Sequence, residues 1–417
     1  MHVTTNTFVR ILARSVLLAA VSLLPANVAN SEDRPPVVLT DAARALHAKT
    51  ILVDGHNDLP WAFREMGTPS FDKVDIAKSQ PKLHTDIPRL REGGVKAQFW
   101  SVYVPSSTRL TGESLQATLE QIEFVHNMVK QYPDTFSLCL TMDDVDQAIA
   151  DGKIASMIGM EGGHSIENSI SVLRRLYSLG ARYMTLTHSA TLDWADSATD
   201  EAKHGGLTKF GEEVVLEMNR LGMLVDLSHV SDDTMRDAMR ISQAPIIYSH
   251  SSARAIGDHP RNVPDNVLPL IKENGGVIMV NFYPGFVVPA AAERSKQRDK
   301  QVAEWEQQYD EAKVKELVAR WEIANPVPQG SIHDVVNHID HLVKNCGIDH
   351  VGIGSDYDGI GTVPKQLEDV STYPLITQEM LNRGYSAEDI HKVMGQNVMR
   401  VFRQAEKVAK RMQVENN

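Results

Sequence analysis

A (β/α)8 barrel is the fold this sequence predicts, on three observations. Eight short, almost continuously apolar runs recur along the chain. Stretches with helical patterning lie between them. Ionisable residues gather at the C-terminal ends of the runs rather than along them. Apolar strands alternating with helices mark a parallel sheet covered on both faces. Eight such strands are the number that closes a barrel. A doubly wound open sheet is the alternative arrangement of the same elements.

The runs, in order, carry the argument. TILVDGH (50–56) ends in Asp54 and His56, with Asp58 just beyond. KAQFWSVYV (96–104) is followed by the helical pattern SLQATLEQIEFVHNMVKQY. IASMIGMEG (154–162) ends in Glu161 and leads to SVLRRLYSLG. RYMTLTHS (182–189) ends in His188 and leads to EEVVLEMNRLG. MLVDLSH (223–229) ends in His229, before DDTMRDAMR. PIIYSHS (245–251) ends around His250, GVIMVNFY (276–283) in Tyr283, and HVGIGSDYDG (350–359) carries Asp356. Several helical patterns stop at Gly, as helix C-termini often do. The largest insertion is 284–332. Its charged centre, near 287–330, reads as a helical excursion, either a solvated surface or a lid over the site.

The chain has 417 residues, 42% hydrophobic and 23% charged. Length alone suggests two or three domains, but α/β barrels exceed that scale as one. One barrel domain over 31–417 is therefore expected. The composition is ordinary for a globular protein and argues against disorder or coiled coil. A net charge of −12 without a Lys/Arg block argues against nucleic-acid binding. Two cysteines, Cys139 and Cys346, are too few for a thiolate metal site and allow at most one disulfide. Residues 1–30 read as a secretory signal peptide. Arg10 and Arg14 precede the apolar run SVLLAAVSLL (15–24), and small residues follow. That run is too short to span a membrane. Cleavage is expected between Ala26 and Ser31, giving an exported (periplasmic or secreted) chain without a permanent membrane anchor. Loss of the two arginines moves the charge from −12 to −14.

In a parallel barrel all strand C-termini meet on one face, where active sites form. Six strands bringing Asp, Glu or His there is hard to attribute to packing. His56 and Asp58 alternate along an extended strand end, so both side chains face the same way. They offer an imidazole and a carboxylate to one metal. His229 and His250 suit a second metal, and Glu161, with two oxygens, suits a bridge. A buried Glu is costly unless paired or metal-bound. Nitrogen and carboxylate ligands suit zinc, and manganese or cobalt would fit the same set. Two ions ~3.5–4 Å apart would share a hydroxide and polarise a carbonyl. Asp356 would take the proton from that water and pass it to a leaving amine. Asp358, two residues on, competes for that role. His188 is placed to hold a substrate carbonyl or its oxyanion. His164 reads as a supporting or structural residue, and His338 and His341 as a polar helix face. Other chemistries lack their signatures: there is no GxxxxGK[ST] loop, no GxGxxG turn at the first strand and no HExxH, and GHSIE (163–167) lacks the final Gly of a nucleophile elbow.

DGHNDLP (54–60), GMEGGHSI (159–166), YMTLTHS (183–189), VDLSHVS (225–231), YSHSSARAIGDHPRNVPD (248–265) and GIGSDYDG (352–359) together resemble the membrane (renal-type) dipeptidase family of the metal-dependent amidohydrolases. The resemblance runs from about residue 45 to about 405. It implies a barrel with two zinc ions, bound by His56 and Asp58 on one side and His229 and His250 on the other, with Glu161 bridging. It makes Asp356 the proton shuttle and His188 a contact to substrate or tetrahedral intermediate. Arg261 would pair with the substrate's terminal carboxylate, as a guanidinium can do bidentately, and Tyr283 would line the pocket. The implied substrates are free dipeptides, including those with a C-terminal D-residue. N-acyl amino acids, lactams or lactones are the alternative. A homodimer is the family expectation. The chain departs from mammalian members: its last residues, AEKVAKRMQVENN, are polar, so no glycolipid anchor is expected, it carries Ala190 two residues after His188, and it has fewer cysteines.

Overall fold

The computed structural model describes residues 34–67 and 70–415. The leader expected over 1–30 lies outside them. Among the described residues, no helix is long and apolar enough to cross a membrane.

Nine parallel strands form one sheet: β1 Leu52–Asn57, β2 Val95–Tyr103, β3 Phe136–Leu138, β4 Ile154–Glu161, β5 Ala181–Thr185, β6 Leu224–Asp226, β7 Ile247–Tyr248, β8 Val277–Val280 and β9 Val351–Ile353. Eight of them close a ring. β1 pairs with β2, β2 with β4, and the order then runs through β5, β6, β7 and β8 to β9, which returns to β1 at Asp54↔Ile353. This is the (β/α)8 barrel, and the open sheet is excluded. The ninth strand, β3, is one the sequence did not announce. It pairs Phe136↔Ile154 through Leu138↔Ser156 on β4, below the point where β5 joins at Ile158↔Ala181.

The strands run apolar because both faces are covered. Every residue of β1, β4 and β5 is buried. Alternate residues such as Val53, Phe99, Met157, Leu224 and Met279 form one apolar cluster with Val401 and Phe402 of the last helix, Asn397–Glu415. That helix stops the N-terminal end of the barrel. A second, larger cluster packs the surrounding helices onto the strands. The helices between strands begin on side-chain caps; Thr141, Ser169, Thr208 and Ser231 each accept from a backbone N–H of the first turn. Lys209–Leu221 ends at Gly222 with φ +85°, where a left-handed residue closes the helix. Cys139 and Cys346 are both buried and unpaired, so they form no disulfide.

The 284–332 segment forms helices Pro284–Val287, Pro289–Glu306 and Glu311–Ala324. The two longer ones bury little beyond Ala291, Ala292 and Val314. They are joined by the ion pair Arg298–Glu322 at 2.8 Å and by Arg294 Nε donating to Asn325 O at 2.6 Å. They stand beside the C-terminal end of β8.

Candidate metal centre and substrate site

His56 lies within the end of β1, while most of the other ionisable residues lie on the turns just past their strands at the barrel mouth. Glu161 is the last residue of β4. His188 and His229 each come three residues after their strand, His250 two after β7 and Asp356 three after β9. His229, Asp356 and Asp358 adopt φ of +69°, +67° and +65°. A left-handed conformation is uncommon outside Gly, and such outliers persist where surrounding structure over-determines them.

Glu161 is the centre of the arrangement. Its Oε2 lies 3.4 Å from His56 Nε2, and that nitrogen is 3.2 Å from Asp58 Oδ2. Its Oε1 lies 2.9 Å from His229 Nε2, 3.5 Å from His250 Nε2 and 3.6 Å from His188 Nε2. One carboxylate thus turns its two oxygens to two different ligand groups. Three sets have ligand atoms within 4.8 Å of one another: His56, Glu161 and His250; Glu161, His188 and His229; and His56, Asp58 and Asp356. Gly359 is required here, since a Cβ would lie 2.2 Å from Asp58 Oδ2 and 2.7 Å from Asp356 Oδ1.

These residues fit metal ions. His56 Nε2 and Asp58 Oδ1 are buried without a hydrogen-bond partner. His229 Nε2 and His250 Nε2 face each other at 2.9 Å, where only one can donate. Burial, then Arg261 for His229 and then His56 and Arg261 for His250, holds both imidazoles well below their ordinary range. Neutral imidazole is the ligating form. His56 behaves oppositely. Burial pushes it down, but Tyr183, Asp58 and Glu161 together raise it well above the usual value. The field between Asp58 and Glu161 therefore favours a positive charge, which a divalent cation supplies better than a proton. Glu161 stays well below its ordinary range because His56 and the neighbouring imidazoles outweigh its burial.

A second layer fixes the imidazoles. His56 Nδ1 lies 2.7 Å from the Tyr183 hydroxyl, which leaves Nε2 facing the mouth. Tyr183 reaches it because Gly159 is opposite; a Cβ there would lie 2.0 Å from Tyr183 Cζ. Asp226 accepts from Ser249 Oγ at 2.6 Å, Thr185 Oγ1 at 2.5 Å and the Ser228 and Ser249 amides at 3.0 and 2.8 Å. With its hydrogen given to Asp226, Ser249 Oγ accepts from His250 Nδ1 at 2.8 Å. That relay sets the tautomer and aims the Nε2 lone pair inward.

Beside the ligands lies a cavity of about 450 Å³, lined by Asp58, Glu161, His188, His229, His250, Arg261, Tyr283, Asp356 and Asp358, with Trp61 and Tyr103 at its wall. All nine residues singled out from the sequence line it or lie in the sets around Glu161. Arg261 is 3% exposed, yet among the described residues no carboxylate pairs with it. Its terminal nitrogens make only long hydrogen bonds, 3.4 Å to Ser251 Oγ and 3.3 Å to His250 O, and its Nε has no partner. Burial pulls it down to about 10. Asp356 and Asp358 separate cleanly. Asp356 Oδ2 accepts from Asn281 Nδ2 at 2.8 Å, and burial and the charge of Asp58 push its carboxyl well above the usual range. Asp358 Oδ1 instead accepts from the His84 amide at 2.7 Å. A larger cavity of about 730 Å³, between the last helix and Asp146, carries none of these ligands.

The other histidines weighed from the sequence, His164, His338 and His341, are held by structural contacts. His164 Nε2 donates to Val104 O at 3.0 Å. His341 pairs with Asp265 at 2.8 Å. His338 accepts from the Ala253 amide and donates to Val287 O, and burial lowers it to about 4. The unfolded imidazole protonates near 6.5. His338 therefore adds stability that is complete above pH 6.5 and is lost as pH falls toward 4, about 2 kcal/mol by pH 5. Urea unfolding at pH 7 and pH 5 checks this: the loss on acidification should be smaller by that amount in His338→Asn, and equal losses reject it.

Sequence reasoning passed over Tyr183, Asp226, Ser249 and Asn281. For the last three the signal was a polar group in an otherwise apolar run; Tyr183 carried none.

Residues 40–416 match the family described as membrane dipeptidase, peptidase family M19. Dipeptidase 3 of Mus musculus is 39% identical over 375 residues, covering 89% of this chain and 67% of the mouse protein. The structure of the probable dipeptidase PvdM from Pseudomonas aeruginosa aligns with a TM-score of 0.80 at 25% identity, over 88% of this chain and 98% of that one. A metallopeptidase from Rhodobacter sphaeroides, solved with a phosphinate mimic of the dipeptide L-Ala-D-Ala, aligns at 0.68 and 26% identity, over 86% of this chain and 100% of that one. With the match running from the first helix of the fold through the last, this chain is an enzyme of the membrane dipeptidase family, peptidase family M19.

Proposed function

We propose that this protein is an exported dipeptidase that uses two zinc ions per chain to hydrolyse free dipeptides, including those with a C-terminal D-residue. The observation that carries the reading is the buried, unpaired Arg261 in the same pocket as the two-sided ligand set around Glu161. Export rests on the character of residues 1–30. Acceptance of a D-residue rests on the ligand of the Rhodobacter sphaeroides enzyme.

His56 and Asp58 would hold one ion, His229 and His250 the other, with Glu161 between them. When bound, the ions supply an activated water and a polarised scissile carbonyl. The chain's own groups do the rest. Arg261 grips the terminal carboxylate with its terminal nitrogens, which fixes the peptide in the pocket. Tyr283 forms the wall beside it. His188 Nε2 donates to the developing oxyanion. Asp356, steadied by Asn281, takes the proton from the attacking water and delivers it to the leaving amine.

The test is hydrolysis of dipeptides by chelator-stripped and zinc-reloaded protein, beside their N-acetyl and C-amide forms. Turnover of the free dipeptides only, returning with zinc, supports the reading. Cleavage of the acetylated forms at equal rate moves it to the N-acyl amino acid hydrolases. Arg261→Ala should raise KM for free dipeptides about 100-fold, the worth of two charge-assisted hydrogen bonds. Equal wild-type activity on acid and amide would contradict the clamp.

A further inference from the structure

The catalytic pocket does not end at Tyr283. A second cavity of about 600 Å³ adjoins it, sharing Tyr283 and Gly361 as common walls. Its far side is built from the helical excursion: Arg294, Ser295, Arg298 and Asp299 on one helix and Glu322 on the next. Phe286 lines the catalytic side of this boundary. The Arg261 guanidinium lies 5.2 Å from its ring, the His259 ring sits tilted against it at 4.7 Å, and Tyr283 meets it edge-on at 5.0 Å. The Tyr283 hydroxyl, raised by burial, is opposed by Arg294 and Arg298 and further raised by Asp356, so it feels the charges of both chambers.

The second chamber is lined by two arginines and two carboxylates, and both carboxylates face the same arginine. Arg298 is held by Glu322 at 2.8 Å and faces Asp299 at 3.4 Å. Burial lowers His259 to about 4, which leaves it neutral near pH 7. Arg294 has no carboxylate partner among the described residues. Its Nε donates to Asn325 O at 2.6 Å and its guanidinium lies 4.9 Å from the Trp321 ring. Its terminal nitrogens remain an open fork of the kind that matches a carboxylate. The residue nearest this chamber is the one whose α-carboxylate sits at Arg261, since Tyr283 lines both cavities and Phe286 packs between Arg261 and His259 of the second.

We propose that the second chamber is a subsite for the side chain of the substrate's C-terminal residue and selects a carboxylate there through Arg294. This rests on the dipeptidase reading above and specifies its substrate class. The excursion is then a specificity element rather than inert surface. Anion selection must be local, because the chain as a whole carries −12 and repels acidic peptides at distance.

The experiment uses metal-loaded full-length enzyme with Ala-Ala, Ala-Glu, Ala-Gln and Ala-Lys. Glu and Gln match in size and differ in charge. Wild type is expected to prefer Ala-Glu over Ala-Gln about tenfold in kcat/KM, mostly through KM. In Arg294→Gln that ratio should fall to near one, and in Arg294→Glu Ala-Lys should overtake Ala-Glu. Metal content and melting temperature of each variant report on folding, and the wild-type ratio tests the idea without any variant. A wild-type Glu/Gln ratio of one or less overturns the subsite while Ala-Ala turnover leaves the dipeptidase reading intact. A ratio unchanged in a metal-loaded Arg294→Gln does the same. Absence of turnover on every free dipeptide overturns both.

Discussion

Glu161→Gln is expected to strip bound metal and to lower kcat/KM on free dipeptides by about a thousandfold, roughly 4 kcal/mol of transition-state stabilisation. The reason is the position of its two oxygens. Oε2 serves the His56 and Asp58 side, and Oε1 the His229 and His250 side. An amide of the same shape has one oxygen and one NH2, so one side would receive a donor where a ligand is needed. It would also remove the negative charge that offsets the cations of the proposed centre. Burial alone would raise this carboxyl, and only the surrounding imidazoles hold it ionised. Glu161→Asp separates charge from reach: the charge stays, but the shorter side chain cannot serve both sides. Metal analysis of dialysed protein decides the matter. Two ions per chain in Glu161→Gln, with activity reduced less than tenfold, would remove Glu161 from the bridging position.

The fold was legible where local chemistry reports burial. Each ring strand is a β-branched or apolar run, because parallel strands are covered on both faces. Strand β3 was not, since three residues, two of them half-buried, leave too little pattern. Closure was inferred only from the number of strands. It depends on Asp54 meeting Ile353 and on β2 meeting β4 past β3, and neither pairing has a local mark. The candidate ligands stood out because a polar residue at the end of an apolar strand conflicts with packing. Tyr183 was invisible for the opposite reason: a phenol in a core strand looks like packing, and its role depends on the missing Cβ of Gly159 on β4. Taken alone, Arg261 looked like any loop arginine; the family resemblance gave it a role, and its burial without a carboxylate partner supports that role. Alternation placed Asp356 and Asp358 on one face, but that rule assumes an extended chain. Both residues are left-handed, so the first turns to Asn281 and the ligand set and the second to the His84 amide.

That turn makes Asp356→Asn the sharpest test of the chemistry. The carboxyl sits within 4.8 Å of ligand atoms from His56 and Asp58, so geometry allows it to bind an ion or to carry a proton. Its fixed partner favours the proton. Asn281 Nδ2 donates to Oδ2, which leaves the other oxygen to meet the water and then the leaving amine. Burial and the charge of Asp58 push the carboxyl well above its ordinary range, an environment in which gaining a proton relieves repulsion. Asparagine keeps the size, and its oxygen can still accept from Asn281, but it cannot gain and release a proton. The variant should therefore keep its metal complement and its KM while kcat falls about a thousandfold, within the span measured for lost general acid–base groups. Loss of one ion per chain, with the remaining activity restored by excess zinc, would instead make Asp356 a ligand. The proton would then have to pass through another group at the mouth, such as His188 in the same cavity.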